Sequence, residues 1–159
     1  MELTSSFDAP YPQSQTYAAL ADFDALTASL TPRGFEVTQT AEGDTDGVGK
    51  AWKIAFGFRG VHREIAVEVI EATPETGFVL RGNSEGLVVT MSIALAGLEN
   101  GRCRVSVVAE AAAETFTARL LLQSLRLARA KIQPKFDSRV AAFLASRLAE
   151  AASPQGARA

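Results

Sequence analysis

Three groups of polar side chains stand close enough in the sequence to suggest chemistry. His62 and Glu64 alternate in one segment, so they point to the same side of a strand and could form an acid–base pair. The sequence ties no nucleophile to them, and we interpret His62 as structural. Glu64 and Glu68 share that side, but they lie about 13 Å apart along a strand, too far to share a proton. Asp44 and Asp46 in a glycine-flanked turn suggest a cation, yet the turn lacks the remaining ligands of a calcium loop.

Two arginines occupy positions that are otherwise apolar. Arg63 belongs to the register of Ile65, and Arg129 lies between Leu125 and Ile132 on a helical stripe. A charge held in an apolar wall needs a partner or a ligand anion, because burying it unpaired is very costly. Either arginine could therefore orient the polar end of a mostly apolar ligand. Alternatively, Arg63 reaches water from the open end of its strand and Arg129 extends past the stripe.

The composition predicts one ordinary globular domain. The chain has 159 residues, of which 47% are hydrophobic and 21% charged, enough for a real core. The single cysteine, Cys103, excludes an intrachain disulfide, and with only one histidine a zinc cluster is improbable. The sequence contains no GxSxG, HExxH, Walker A or GxGxxG motif. We therefore predict no catalytic residue, no metal site and no cofactor.

The termini and the charge bear on where the protein works. The start, Met1 to Thr4, lacks the basic and apolar regions of a signal peptide. The longest uncharged apolar run, Gly86 to Leu98, is too short to cross a bilayer. We expect a soluble, cytoplasmic protein without an integral membrane segment. A net charge of −2 and a pI near 5.5 indicate no binding of nucleic acid.

The middle of the chain reads as short strands. Apolar and polar residues alternate between Gly34 and Ala112, and turns of hairpin length separate the segments. Successive strands with such turns predict an antiparallel meander. If the charged residues point outward, the inward registers are Trp52, Ile54, Phe56, Phe58; Ile65, Val67, Val69; Phe78, Leu80; Leu87, Val89, Met91, Ile93; and Cys103, Val105, Val107, Ala109.

The segment from Glu114 to Glu150 predicts one long helix. It is rich in Leu, Ala, Arg, Lys and Gln and contains no glycine. Its apolar residues recur on one broad stripe, as in a helix that packs on a core. Pro134 lacks the N–H that an unbroken helix needs, so we expect a kink near Gln133.

The first half of this helix is apolar on a second side as well. Phe116, Leu120 and Leu127 lie opposite the main stripe, so they are either covered by the same chain or form a homodimer contact. The predicted helix carries seven basic and three acidic residues, a net charge of +4, and the rest of the chain carries −6. A basic face over an acidic body could meet an anionic partner or membrane surface, or be a solvated face.

The predicted order is one strand, two short helices, six strands and a long C-terminal helix. This order resembles the helix-grip fold of the START and Bet v 1-like superfamily, which includes polyketide cyclase-like and CoxG-like bacterial proteins. The segments that carry the resemblance are the first strand with Ala9-Pro10, the helix around Tyr17 to Phe23, Gly47 to Trp52, Val69 to Pro74 and the final helix. The resemblance implies an α+β domain with a curved antiparallel sheet of about seven strands around the helix. We place this domain at residues 1–150 and predict a disordered tail over 151–159, where Ser153, Pro154 and Gly156 end the helix.

The same resemblance implies an apolar cavity between the sheet and the helix for a small molecule or lipid. The predicted ligand-binding residues are Trp52, Phe56, Phe58, Arg63, Met91, Arg129 and Phe136. A cyclase, dehydratase or hydrolase-like enzyme using the same cavity is one alternative, and a dimerising interaction module is another. An enzyme needs at least two titratable groups in the cavity, whereas the sheet offers chiefly Arg63, which favours binding.

Overall fold

A seven-stranded antiparallel sheet dominates the fold. The computed structural model describes residues 1–58 and 60–152, with only the backbone of Phe58. The strands are β1 Glu2–Ala9, β2 Glu36–Ala41, β3 Ala51–Phe58, β4 Val61–Thr73, β5 Gly77–Ser84, β6 Leu87–Gly97 and β7 Cys103–Ala113. They lie in the order β1-β7-β6-β5-β4-β3-β2, so the meander predicted from the sequence is confirmed and β1 and β2 are the edges.

Four α-helices accompany the sheet: α1 Gln13–Leu20, α2 Phe23–Ala28, α3 Phe116–Leu127 and α4 Arg129–Ala152. The α+β class, the two short helices after the first strand and the long C-terminal helical region are confirmed. Helix α4 runs through Ala152, so the first two residues of the expected tail are helical, and residues 153–159 lie outside the described part of the chain.

The strand registers also match the prediction. Trp52 lies opposite Val67, Leu80 lies opposite Met91, and Ile93 lies opposite Val107. Residues opposite each other in an antiparallel pair point to the same face, so the residues predicted to point inward on neighbouring strands share one face of the sheet. Bulges near Gln39 and Val69 interrupt the pairing and help the sheet to bend around the helices.

The C-terminal helical region has a break that the sequence does not predict. The break lies at Ala128, whose φ of −95° and ψ of 6° end α3, and Pro134 lies inside α4. The sequence analysis did not predict this break, and the kink expected near Gln133 stays a prediction. Helix α3 packs against β6 and β7, whereas α4 packs against β1 and α1. The chain changes direction where the surface beneath it changes, so tertiary packing rather than proline places the break.

Helix α4 is attached to the free edge of β1 by side chains spaced four residues apart. Gln133 accepts from the Thr4 N–H at 3.1 Å and donates to the Thr4 carbonyl at 2.7 Å. Ser5 donates to Asp137 Oδ1 at 2.6 Å. Residues at this spacing lie on one helix face, so the helix presents a row of polar groups to the strand. That row occupies backbone groups that an edge strand would otherwise leave open to another strand.

The start of α3 is tied to the hairpin between β5 and β6. Thr115 accepts from the Ala118 N–H at 3.2 Å as the N-cap, and its hydroxyl donates to the Glu85 carbonyl at 3.1 Å. Glu85 and Gly86 both have positive φ, as a two-residue hairpin turn requires. A side chain at Gly86 would collide with Thr115. This turn therefore fixes where α3 begins over the sheet.

Replacing Gln133 by alanine removes both side-chain bonds to Thr4. We expect the free energy of unfolding to fall by about 1 to 2 kcal/mol, the net value of two such bonds. Urea denaturation measures the change. Lys135→Ala is the matched control, because Lys135 is exposed on the same helix and should change stability little. Equal stability of the two variants would contradict the role of Gln133.

Candidate functional site

The concave face of the sheet is closed at one end and open at the other. At the closed end the inward side chains are buried, and they pack against α1, α2 and the C-terminal half of α4. The buried core cluster there includes Tyr17, Leu20, Phe23, Trp52, Ile54, Val69, Phe78, Ile93, Leu95, Val105, Leu144 and Leu148. Phe23 contacts the rings of both Trp52 and Phe78, at centroid distances of 6.1 and 5.1 Å. This end is a packed core.

At the open end the inward side chains are only partly buried, although they belong to the same registers. They are Phe56, Ile65, Val67, Leu80, Leu87, Val89 and Met91. On the helical side Leu125, Ile132 and Phe136 are also partly buried, and Leu121 is exposed. Apolar groups on both walls therefore remain in contact with solvent. We call this region, from β3 to β6 beneath α3 and the start of α4, the open end.

Three predicted ligand-binding residues are partly buried at the open end. Phe56 is in contact with Phe35 at a ring distance of 5.6 Å, and Met91 and Phe136 pack against the core cluster. Trp52 instead lies in the closed end, where it is buried. Phe58 lies outside the part of the structure whose side chains are described, so its role stays a prediction.

Arg63 faces the open end from β4. It lies opposite Phe56, and its Nη1 is 3.7 Å from the Glu85 carboxylate. Both side chains are well exposed, and such a pair contributes little to stability. The guanidinium therefore reaches water, as one of the two interpretations expected, while it remains beside the apolar wall.

Arg129 does not lie in the apolar wall. It is exposed at the start of α4, and its Nε donates to the Glu2 carbonyl at 3.1 Å. It thus belongs to the row of side chains that holds β1. The helical periodicity placed Arg129 among the apolar residues of one stripe, but that periodicity assumes an unbroken helix. The break at Ala128 changes the direction in which the side chains after it point.

The sequence reasoning missed several residues of the open end. Ile65, Val67, Leu80, Leu87 and Val89 were assigned to the inward registers but not to the site. Alternation predicts which face a residue occupies, but it does not predict how deep along the strand the core is closed. The position of these residues along the chain offers a partial signal for the open end, since all of them lie towards the β3–β4 and β5–β6 turns.

Burial keeps two titratable groups of the closed end neutral. Burial raises the pKa of the Cys103 thiol. Burial, and to a smaller extent the Asp46 carboxylate, raises the pKa of the Tyr17 hydroxyl. A thiol with a raised pKa is a poor nucleophile at neutral pH. These two residues therefore behave as parts of the core.

The polar pairs considered first lie on the outer side of the sheet or in turns. His62 Nε2 and Glu64 are 3.8 Å apart and exposed. Asp44 Oδ1 accepts from the N–H groups of Asp46 and Val48, at 2.9 and 3.1 Å, so the carboxylate closes its own turn. Within residues 1–58 and 60–152, no three His, Cys, Asp or Glu side chains are grouped to hold a metal ion.

A separate groove of about 850 Å³ lies between α1, α2 and the C-terminal end of α4. None of its lining residues belongs to a strand. Arg147 at its base is only 6% exposed and donates to Glu150 at 2.8 Å, while its buried Nε has no partner among the described residues. Because no strand lines the groove, it is not the cavity between sheet and C-terminal helix that the resemblance implies, and we do not assign it as the site.

The outer side of α3 is uncovered. Phe116, Leu120 and Leu127 are all exposed, so the interpretation that the same chain covers them is wrong. Ala118 and Leu122, on the opposite side, are the buried residues of this helix. Helix α3 therefore has one apolar side on the sheet and another in solvent.

Comparison with solved structures identifies the architecture. The Zhui aromatase/cyclase from Streptomyces sp. R1128 superposes with a TM-score of 0.69 at 11% identity, over 98% of each chain. A norcoclaurine synthase mutant from Thalictrum flavum, solved with a transition-state analogue, has a TM-score of 0.68 at 11% identity over 96% of each chain. The protein Ara h 8.0201 gives a TM-score of 0.61 at 9% identity, over 93% of this chain and 97% of that one. The chain has the Bet v 1-like helix-grip fold.

The resemblance stated from the sequence is thus confirmed at the level of fold. No protein-family model and no curated protein matches the sequence. The structural similarity establishes the helix-grip fold, but at sequence identities of 9 to 11% it establishes no activity. None of the helices in the described ranges is long and apolar enough to cross a membrane.

The buried thiol provides a test of the closed end of this helix-grip core. A raised pKa means that the folded state holds its proton at a pH where the unfolded chain has released it. The free energy of unfolding should therefore fall as the pH rises above about 8.5, the ordinary value for a thiol. Denaturation curves measured below and above that pH detect the loss. The Cys103→Ala variant is the control and should lack this part of the decline; an identical decline in both proteins would refute the assignment.

Proposed function

We propose that this protein binds a small, mostly apolar molecule or lipid at the open end, between the sheet and α3 with the start of α4. One observation carries the proposal: the inward apolar side chains of β3 to β6 are only partly buried there, although the same registers are fully packed at the closed end. Solvent-exposed apolar walls on a concave surface are stabilised when an apolar ligand covers them.

Phe56, Met91 and Phe136 are the proposed apolar contacts, since they are partly buried around the open end. Trp52 forms the floor behind them, packed against Phe23. We retain Phe58 as a contact on the strength of its register alone. The proposed ligand therefore meets aromatic and thioether surface, which suits a flat or flexible apolar body.

Arg63 is the proposed polar contact. Its long, exposed ion pair with Glu85 leaves the guanidinium able to bind a carboxylate or other anionic end of the ligand. Arg129 is the weaker candidate, because its guanidinium already donates to the Glu2 carbonyl outside the open end. The proposal therefore assigns ligand orientation to Arg63 and attachment of the helix to Arg129.

Two alternatives share this fold. An aromatase/cyclase and a norcoclaurine synthase are among the similar solved structures. Among the described inward registers of β3 to β7, however, Arg63 is the only charged residue, and Tyr17 and Cys103 are held neutral in the closed end. These observations favour binding without chemistry.

The homodimer alternative depends on the uncovered side of α3, where Phe116, Leu120 and Leu127 are exposed.

The proposal includes the cytoplasm as the setting, because the single free cysteine, Cys103, suits a reducing compartment.

Protein purified from its own host should carry a bound molecule that native mass spectrometry detects and organic extraction releases.

The direct test of the site uses dodecanol as the probe, whose binding is measured by the displacement of fluorescent anilinonaphthalene sulfonate. Met91→Trp should weaken dodecanol binding by about tenfold or more, because the added ring fills the open end. Thr90→Trp adds the same ring on the other face of the same strand and should leave binding unchanged. Equal affinities in the two variants would contradict the proposed site.

Arg63→Met separates the polar contact from the apolar one. Dodecanoate should lose about tenfold in affinity, because its carboxylate loses a charge-assisted hydrogen bond, while dodecanol binding stays the same. Arg81→Met, an exposed change on the outer face of β5, is the control and should affect neither probe. If Arg129→Met rather than Arg63→Met weakened dodecanoate binding, the assignment of the two arginines would be reversed.

A further inference from the structure

The uncovered side of α3 is a concentrated apolar surface. Phe116 is 74% exposed, Leu120 51%, Leu121 46% and Leu127 91%. The described residues include one other large apolar side chain of comparable exposure, Val61 at 49%. Single exposed apolar residues are ordinary on protein surfaces. Four on one helix of twelve residues form a cluster that indicates a binding surface.

The helix geometry aligns three of these side chains. At about 100° per residue, Phe116, Leu120 and Leu127 fall within about 40° of one another around the helix axis. Ala118 and Leu122 lie on the opposite side and are buried against the sheet. The three aligned residues are therefore free to enter another apolar medium while the helix keeps its place on the protein. We call them the outer α3 face.

Basic side chains border this face on one side. Arg119 and Arg126 are exposed along one border of it, and Arg129, Lys131 and Lys135 follow directly in the chain. Between Glu114 and Asp137 the sequence contains these five basic residues and no acidic one. The rest of the protein beyond the C-terminal helices is acidic. The electrostatic field therefore draws the C-terminal helices, rather than the acidic remainder of the protein, towards an anionic surface.

This charge pattern indicates which kind of partner could cover the outer α3 face. A symmetric dimer with antiparallel α3 helices would bring the outer α3 face against its own copy and set the arginine border of one helix beside that of the other, which is unfavourable. An anionic lipid surface can bind both the apolar side chains and the arginines. Phenylalanine and leucine enter the region between headgroups and acyl chains, while the arginines pair with lipid phosphates and keep their charged ends in water.

We propose that the outer α3 face docks this protein on the surface of a bilayer that contains anionic phospholipids. The docking is peripheral, since α3 would lie along the bilayer surface and none of the helices in residues 1–58 and 60–152 is long and apolar enough to span it. It does not depend on the ligand proposed for the open end, although it would place that end beside a source of apolar molecules. Membrane docking and ligand binding are therefore measured separately.

Sedimentation with lipid vesicles tests the docking. The full chain should bind vesicles of mixed phosphatidylcholine and phosphatidylglycerol, and bind phosphatidylcholine vesicles at least about tenfold more weakly, because each basic residue near an anionic surface adds to the attraction. High salt should reduce the binding to the mixed vesicles. Equal binding to both kinds of vesicle, or none to either, would overturn the proposal.

Two double variants separate the contributions. Phe116→Ser with Leu127→Ser should lower binding to mixed vesicles by about tenfold or more without reducing thermal stability, since both side chains are exposed. Arg119→Gln with Arg126→Gln should remove much of the preference for anionic lipid. Arg81→Gln with Arg102→Gln is the matched control on the body of the protein and should change nothing. A concentration-dependent dimer in sedimentation equilibrium that is lost in the serine variant would overturn the proposal and assign the face to a second copy.

Discussion

The attachment of α4 to the edge of β1 is the constraint on which the rest of the arrangement depends. A meander of seven strands leaves two edges, and each presents backbone donors and acceptors that need partners. Here Gln133 bonds the backbone of Thr4 on both its N–H and its carbonyl, with Asp137 bonded to Ser5 and Arg129 bonded to Glu2 on either side. The helix thereby takes the place that a further strand would take, and its other side is held over the concave face.

This attachment also explains why the concave face has two ends of different character. The C-terminal half of α4 lies over the closed end, where Leu144 and Leu148 join the core with α1 and α2. At Ala128 the helix leaves the β1 edge and continues backwards as α3, which begins at the Glu85–Gly86 turn and packs on β6 and β7. Two anchors, one at each end of a broken helix, leave the walls between β3 and β6 only partly covered. The space proposed for a ligand is a consequence of where those anchors lie.

The two apolar sides of α3 follow from the same placement. A helix that spans an open region packs on the sheet with one side only, so Ala118 and Leu122 are buried while Leu127 is left in solvent. An exposed apolar side opposes folding and solubility unless another surface covers it at least part of the time. The adjoining arginines narrow the candidates for that surface, because they oppose self-association and favour anionic lipid.

The sequence by itself determined the local elements and the faces of the strands. Alternation from Trp52 to Phe58 and from Leu87 to Ile93 predicts both the strands and their inward register, because side chains in a strand alternate between two faces. Hairpin-length turns then leave an antiparallel meander as the simplest order, and the long glycine-free segment predicts the helical region that follows. The inward position of Arg63 was readable in the same way, since it shares the register of Ile65.

Only the tertiary structure decided the position of the helix break, the contacts of Arg129 and the depth of the core along each strand. Pro134 is a local signal for a kink, but the break lies at Ala128, where the surface under the helix changes from β1 to β6 and β7. Arg129 shares a stripe with apolar residues, yet that break turns it to the Glu2 carbonyl. Trp52 and Phe56 are equivalent in the sequence pattern, and one is buried while the other borders the open end. Periodicity encodes the direction of a side chain, whereas burial depends on what another part of the chain places over it.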